Sequence, residues 1–185
     1  MKIDSIQLIN ELTEMTNSHL EFVNSLKTNS KEQLNWKLNQ ESWSPLECLQ
    51  HLNLTLNFYI PEIKKRIESS SIPSSNSFKG SYLGNRFASS MLPKEKMKKV
   101  NTFKKVNPIN SELNKENVIG TFIHHQKQLL ELLNKAKDKN LTKIKTSTLL
   151  PLLKLRLGNT LQLVTYHNER HIMQAKKALF SQKIK

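Results

Sequence analysis

Two histidines near the carboxyl end of the chain have the spacing of neighbouring side chains on a helix. His167 and His171 stand four residues apart, which places both imidazoles on one face about one turn apart. Thr160, Val164 and Ala175 share that stripe, so we expect the face to point inward. Two buried imidazoles need partners, and either a divalent metal or ordinary hydrogen bonds would satisfy them.

A third histidine can complete a metal site. His51 lies within the first turns of another predicted helix, and bundles build metal sites from side chains on facing helices at one level. Three neutral imidazoles with an open fourth position are typical of a catalytic site for zinc, with nickel as the alternative ion. Such an ion would lower the pKa of a bound water or activate a thiolate. Hydrolysis and thiol transfer therefore both stay open.

Two further residues are candidates for supporting this site. Gln174 follows His171 by three residues and shares its face, so we expect it to hydrogen-bond a ligand, contact substrate or bond to another helix. His125 lies on the apolar stripe of a different predicted helix. It would either enter the same cavity or act as a hydrogen-bonded core histidine.

Four other residues with reactive or ionisable side chains receive weaker interpretations. Cys48 lies one turn before His51 and is expected to be a small buried residue rather than a ligand. Glu169 lies two residues from each paired histidine and should point away from both, which argues against a general base there. His19 and His124 fall on mixed or polar faces and are assigned no role.

Four helical segments must position these histidines. Apolar residues recur at steps of three and four over four stretches, and no strand alternation is evident. The start of the second helical segment is the most clearly marked in the sequence. Ser44 is an N-cap, Pro45 occupies the first helical position and Glu47 completes a capping box. We therefore predict one all-α domain over residues 1–185, an antiparallel four-helix bundle. The predicted helices span residues 3–26, 45–67, 111/115–136 and 159/160–180.

Three connections separate the predicted helices. Residues 28–44 should contain a short helical turn after Ser30, with tryptophans as anchors to the core. Residues 140–158 form a second connector. The crossover over residues 70–111 is poorly periodic and unusually long, so it is either a functional lid or an excursion over the core. Four of its residues would either cover the open side of the metal or pack the loop down: Tyr82, Arg86, Phe87 and Met91.

The amino-acid composition limits the classes of partner that we expect the protein to bind. Lys and Arg total 29 against 15 Asp and Glu, a formal net charge of +14. The 25 Lys outnumber the 4 Arg and are spread along the chain, with dense runs over 94–105 and 135–145, so we expect a solvated surface rather than nucleic-acid binding. Such a surface would favour a small anionic substrate or thiol. A nucleic-acid-binding or structural dimeric bundle remains the non-enzymatic alternative.

The same composition bears on location. The single cysteine excludes an intrachain disulfide and suits a reducing compartment. The first residues mix polar and apolar types, unlike a secretory signal, and no stretch approaches the length of a membrane span. We expect a cytoplasmic protein without membrane association.

Two stretches resemble the DinB-like superfamily: WSPLECLQHL over Trp43–Leu52 and HNERHIMQA over His167–Ala175. The likeness covers nearly the whole chain. It implies a four-helix bundle that binds a divalent metal through His51 on the second helix and His167 and His171 on the last. It further implies a metal-dependent hydrolase acting on a small molecule, or a transferase of a low-molecular-weight thiol such as bacillithiol or mycothiol, and often a homodimer.

Overall fold

The computed structural model describes residues 2–93, 102–111 and 113–182, and these ranges are mostly helical, which confirms the all-α prediction. No helix within them is long and apolar enough to cross a membrane. The helices are α1 Ser5–Ser25, α2 Lys31–Asn35, α3 Pro45–Glu68, α4 Tyr82–Ser89, α5 Lys115–Ala136 and α6 Leu157–Gln182. Four short strands accompany them: β1 Lys2–Asp4, β2 Ser77–Lys79, β3 Lys145–Ser147 and β4 Lys154–Arg156.

The four long helices share one hydrophobic core. Helix α3 packs against α5 and α6, and α1 packs against the same two helices, so the four form a ring in the order α1, α5, α3, α6. Each helix contributes fully buried side chains to one continuous cluster. Examples are Leu12 on α1, Leu49 on α3, Phe122 on α5 and Leu161 on α6. Burial of these apolar stripes is what holds the helices together.

Neighbouring helices are not all antiparallel. Near the start of α5, the Asn53 side chain donates to the Val118 carbonyl at 3.0 Å, and near its end Lys135 approaches Glu68 at 3.5 Å. Helices α3 and α5 therefore run in the same direction. Helix α6 runs opposite to α3, since His51 near the start of α3 meets His167 in the middle of α6. Near the end of α3, Glu62 accepts from Ser147, whose neighbour Thr146 bonds to Thr160 at the start of α6. A connection between parallel neighbours must return along the bundle, which accounts for the long crossover between α3 and α5.

The crossover contains more structure than its sequence predicts. Strand β2 pairs antiparallel with β1, the strand that replaces the first residues of the predicted first helix. Helix α4 begins after Ser81, whose side chain accepts from the Gly84 amide at 3.0 Å, and it packs against α6. Phe78 of β2 is buried against Gly158, where any β-carbon would lie within 2.5–2.7 Å of the ring. Residues 94–101, which carry most of one lysine run, lie outside the described ranges.

The connector before α6 is a β-hairpin rather than a loop. Strands β3 and β4 pair antiparallel, and Leu152 adopts a left-handed conformation (φ 64°) in the turn between them. Helix α6 begins at Leu157, two residues before the predicted start. Its first amides are satisfied from outside the helix, since Leu157 donates to Ile144 and Gly158 donates to Leu141, at 2.8 and 3.0 Å.

The start of α3 is the capping box that the sequence predicts. The Glu47 amide donates to the Ser44 hydroxyl at 3.1 Å, and the Glu47 carboxylate accepts from the Ser44 amide at 2.9 Å. The same carboxylate, which is 1% exposed, accepts from Lys37 and from the Asn110 amide, each at 2.7 Å. Glu47 thus joins the connector before α3, the start of α3 and the end of the crossover.

We expect Glu47→Ala to lower the free energy of unfolding by about 3 kcal/mol, because it leaves a cation and two backbone amides without their acceptor. Urea denaturation measures the change. Glu68→Ala is the matched control, since Glu68 is half exposed and its pair with Lys135 should contribute less than about 1 kcal/mol. Equal losses in the two variants would contradict the role given to Glu47.

Candidate metal centre

The structure brings together the three histidines on which the predicted metal site rests. His51 lies in the second turn of α3, and His167 and His171 lie on successive turns of α6. Their ring centroids are 4.6–5.0 Å apart, and one potential ligand nitrogen from each lies within 4.8 Å of the others. Among the described residues this is the group of histidine, cysteine or acidic side chains that could hold a metal ion.

Hydrogen bonds fix the orientation of two of these rings. His51 Nδ1 lies 2.6 Å from the Val106 carbonyl, and His171 Nδ1 lies 3.0 Å from Gln174 Oε1. Both oxygens only accept, so the proton of each neutral ring resides on Nδ1 and the lone pair on Nε2. Partners of this kind are the usual support of metal-binding histidines. Gln174 therefore contacts His171 as the sequence suggested, whereas the contribution of Val106 was not foreseen.

The remaining contact between rings also suits a cation. His51 Nε2 lies 3.1 Å from His167 Nε2. Because His51 carries its proton on Nδ1, its Nε2 presents a lone pair at this contact. A proton supplied by His167 or a cation held by both nitrogens can bridge them. Each of the three rings can offer one nitrogen, and a set of imidazole nitrogens fits a borderline divalent ion.

All three histidines are held in the neutral form. Burial lowers the pKa of His51, against the effect of the Val106 carbonyl. Burial, assisted by the nearby His51 and Arg170, lowers the pKa of His167 to about 3. Burial and the two neighbouring imidazoles keep the pKa of His171 well below its usual range. Neutral imidazole is the form that binds metal ions, so little proton release would oppose binding at neutral pH.

Trp43 forms a wall of the cluster. Its ring lies 4.8 Å from that of His51 and 5.4 Å from that of His171, measured between centroids. The sequence assigned this tryptophan only an anchoring role in the connector. Its place directly before the N-cap Ser44 was the available signal, because a residue there lies beside the first turns of α3.

A cavity of about 270 Å³ lies beside His51 and His167. Most of its wall is apolar and comes from α3, α4, α6, the 103–106 segment and the turn between β3 and β4. Of the four crossover residues with an open role, Phe87 and Met91 line this cavity. Tyr82 and Arg86 are exposed and are not part of the wall.

Three other candidates lie apart from the cluster. His125 is buried and faces Asn53, with 3.3 Å between His125 Nδ1 and Asn53 Oδ1, so the structure places it as a hydrogen-bonded core histidine. Cys48 is fully buried, and burial raises the pKa of its thiol. His124 is exposed.

His19 is the histidine that the sequence misplaced. It is 1% exposed, and its Nε2 donates to Glu169 at 2.8 Å across the interface of α1 and α6. That hydrogen bond is the main reason why the pKa of Glu169 is lowered. Glu169 thus faces α1, away from the cluster, as its spacing from His167 and His171 predicts. The mixed polarity of the α1 stripe hid His19, because its partner lies 150 residues away.

We expect the free energy of unfolding of the metal-free protein to decrease as the pH falls below about 6.5. The histidines take up protons in the unfolded chain at this pH, whereas their lowered pKa values keep them neutral in the folded protein. Each such histidine contributes a slope of about 1.4 kcal/mol per pH unit, and for His167 the window extends down to about pH 3. Urea denaturation at several pH values measures the slope. His167→Gln should flatten it, while His124→Gln at an exposed position should not; equal slopes in both variants would refute this account.

Comparison with protein families agrees with this geometry. The family model of the DinB superfamily matches residues 11–175, a range that contains all three clustered histidines. No curated protein and no solved structure matches the chain significantly. Because the family match spans most of the sequence, the chain belongs to the DinB superfamily.

Proposed function

We propose that this protein is a divalent-metal-dependent enzyme that acts on a small molecule, with hydrolysis as its first candidate reaction. The observation that carries the proposal is the convergence of three neutral imidazoles beside a cavity. His51, His167 and His171 would hold the ion, and three protein ligands leave a position for substrate or solvent. Zinc is the proposed ion and nickel the alternative.

The protein residues would prepare this site before substrate binds. A divalent ion supplies Lewis acidity, which lowers the pKa of a water or thiol. The Val106 carbonyl and the Gln174 side chain fix the tautomers and ring planes of His51 and His171. Trp43 covers those two rings on one side and limits the access of solvent. The cavity then directs substrate to the side of His51 and His167.

Transfer of a low-molecular-weight thiol is the second candidate, and one observation favours it. The residues that line the cavity, within the described part of the chain, include no carboxylate and no lysine that could serve as a general base or acid. Glu169 is engaged by His19, and Glu47 belongs to the capping network. Attack by a thiolate on an electrophilic carbon needs less assistance from such a base than hydrolysis of a poor leaving group does.

Metal analysis tests the site. We expect untagged protein to retain about one divalent ion per chain, and we expect His167→Ala to lose most of it, because two ligands hold such an ion weakly. His124→Ala is the matched control at an exposed histidine. A Trp36→Phe background leaves Trp43 as the single tryptophan, so its emission should be quenched when Ni²⁺ is added. An unchanged metal content in His167→Ala would exclude the assigned ligands.

Activity assays separate the two candidate reactions. We expect zinc-loaded protein to hydrolyse a p-nitrophenyl ester about tenfold or more faster than His167→Ala, with activity lost on chelation and restored by metal. A chloromethyl arene with an added small thiol tests transfer, in which a carbon–sulfur bond forms as chloride leaves. Product that depends on both thiol and metal would support the second candidate. Rates equal to those of His167→Ala in both assays would refute both.

A further inference from the structure

We propose that the substrate of this site has an uncharged, apolar body that fills the cavity beside His51 and His167, with only its reactive group at the three imidazoles. This inference rests on the proposed function for the reactive end alone. The apolar character of the cavity follows from the residues that line it. The apolar body and the reactive end of the substrate can therefore be tested separately.

The wall carries no lysine, arginine, aspartate or glutamate among its described residues. Apolar side chains make up most of it, among them Leu56, Phe87, Met91, Val106, Leu163 and Val164. Moving an ionised group from water into such surroundings, without a partner of opposite charge, is strongly unfavourable. The cavity therefore selects against charge on the part of the substrate that enters it.

The polar groups of the wall are partly engaged by the protein. The Thr55 hydroxyl donates to the Leu52 carbonyl at 2.9 Å, and the Tyr59 hydroxyl lies 3.5 Å from the Leu149 amide that donates to it. The Asn168 side chain donates through Nδ2 to Gln126 at 3.3 Å, whereas its buried Oδ1 has no hydrogen-bond partner among the described residues. The polar side chains of the described wall carry no charge, so none of them can pair with an ionised group on the substrate.

The position of the lysines reinforces this contrast. The chain has a formal net charge of +14, from which the sequence favoured a small anionic substrate. None of this charge lies on the described wall. A positive surface attracts anions over a distance but is screened at physiological salt, whereas the desolvation cost inside the cavity is not. The residues of the cavity wall, rather than the charge of the protein surface, therefore determine which ligands stay bound.

The size of the cavity sets the size of that body. A volume of about 270 Å³ lies at the small end of ligand pockets and equals about nine water-sized groups. A single aromatic ring with a short substituent, or a short branched alkyl chain, has the required dimensions. Phe87 and Met91 place the crossover over this space, so α4 contributes directly to the choice of substrate.

Three probes of similar size and different charge test the proposal: benzyl alcohol, benzoate and the benzylammonium ion. Binding to metal-free protein is followed by methyl NMR of Met91, Val106, Leu163 and Val164 at physiological salt. We expect benzyl alcohol to bind about tenfold or more tightly than either ion, because only the ions lose hydration without compensation. Binding of benzoate as tight as that of the alcohol would overturn the proposal.

Two substitutions on α4 supply a matched pair. Phe87→Lys places a cation on the wall, whereas Tyr82→Lys makes the same change of net charge at a residue that is 81% exposed. Only Phe87→Lys should shift the preference toward benzoate, by about tenfold. The same ligand preference in both variants would overturn the proposal. If Phe87→Lys fails to fold, Phe87→Ala must weaken binding of benzyl alcohol several-fold, and unchanged binding counts against the proposal.

The metal-free measurements keep this inference distinct from the proposed function. An unchanged metal content in His167→Ala, or absence of bound metal from purified protein, would refute the proposed function and leave the preference for the neutral probe unaffected. Conversely, a wall that does not discriminate against charge would refute the inference while metal content stays at about one ion per chain.

Discussion

The carboxylate of Glu47 joins the connector before α3, the start of α3 and the end of the crossover, and the geometry around His51 depends on it. It closes the capping box of α3, pairs with Lys37 of the preceding connector and accepts the Asn110 amide of the crossover. His51 lies one turn after Glu47 on α3. Val106, whose carbonyl accepts from the His51 ring, lies in the same part of the crossover as Asn110. One buried charge thus sets both the position of an imidazole and the carbonyl that orients it.

Burial of His51 and His171, with His167 partly buried beside them, imposes the second constraint. A buried histidine is stabilised in its neutral form, and a neutral ring offers one donor and one acceptor. Carbonyl oxygens from Val106 and Gln174 take the donors of His51 and His171, which leaves two Nε2 lone pairs in the cluster. Lone pairs without donors are costly to bury unless a proton or a cation lies between them. The arrangement is therefore compatible with a metal ion bound among the three rings.

Local signals explain how much of this could be predicted. The capping box predicts where α3 begins and therefore which face of that helix carries His51. The four-residue spacing of His167 and His171 predicts that both lie on one face of α6. The rest depends on contacts between distant residues. The Val106 carbonyl meets a ring 55 residues away, and β1 pairs with β2, which follows α3 in the chain. Helix α4 is two turns long, too short for periodicity to identify, and the amide of its N-cap Ser81 donates to Asn159 of α6 at 3.1 Å.

Helix α6 is fixed from two opposite faces, because the pair of His19 and the partly exposed Glu169 lies on the side away from the cluster. A shift of one residue rotates each side chain of a helix by about 100°. Such a shift would carry His167 and His171 out of the cluster and would also remove Glu169 from His19, leaving a carboxylate without its donor. The interface with α1 therefore penalises the same displacement that would disperse the imidazoles. The bundle does more than enclose the site. Helix α1, which lies farthest from α6 in the sequence, sets the rotation of the helix that carries two of the three histidines.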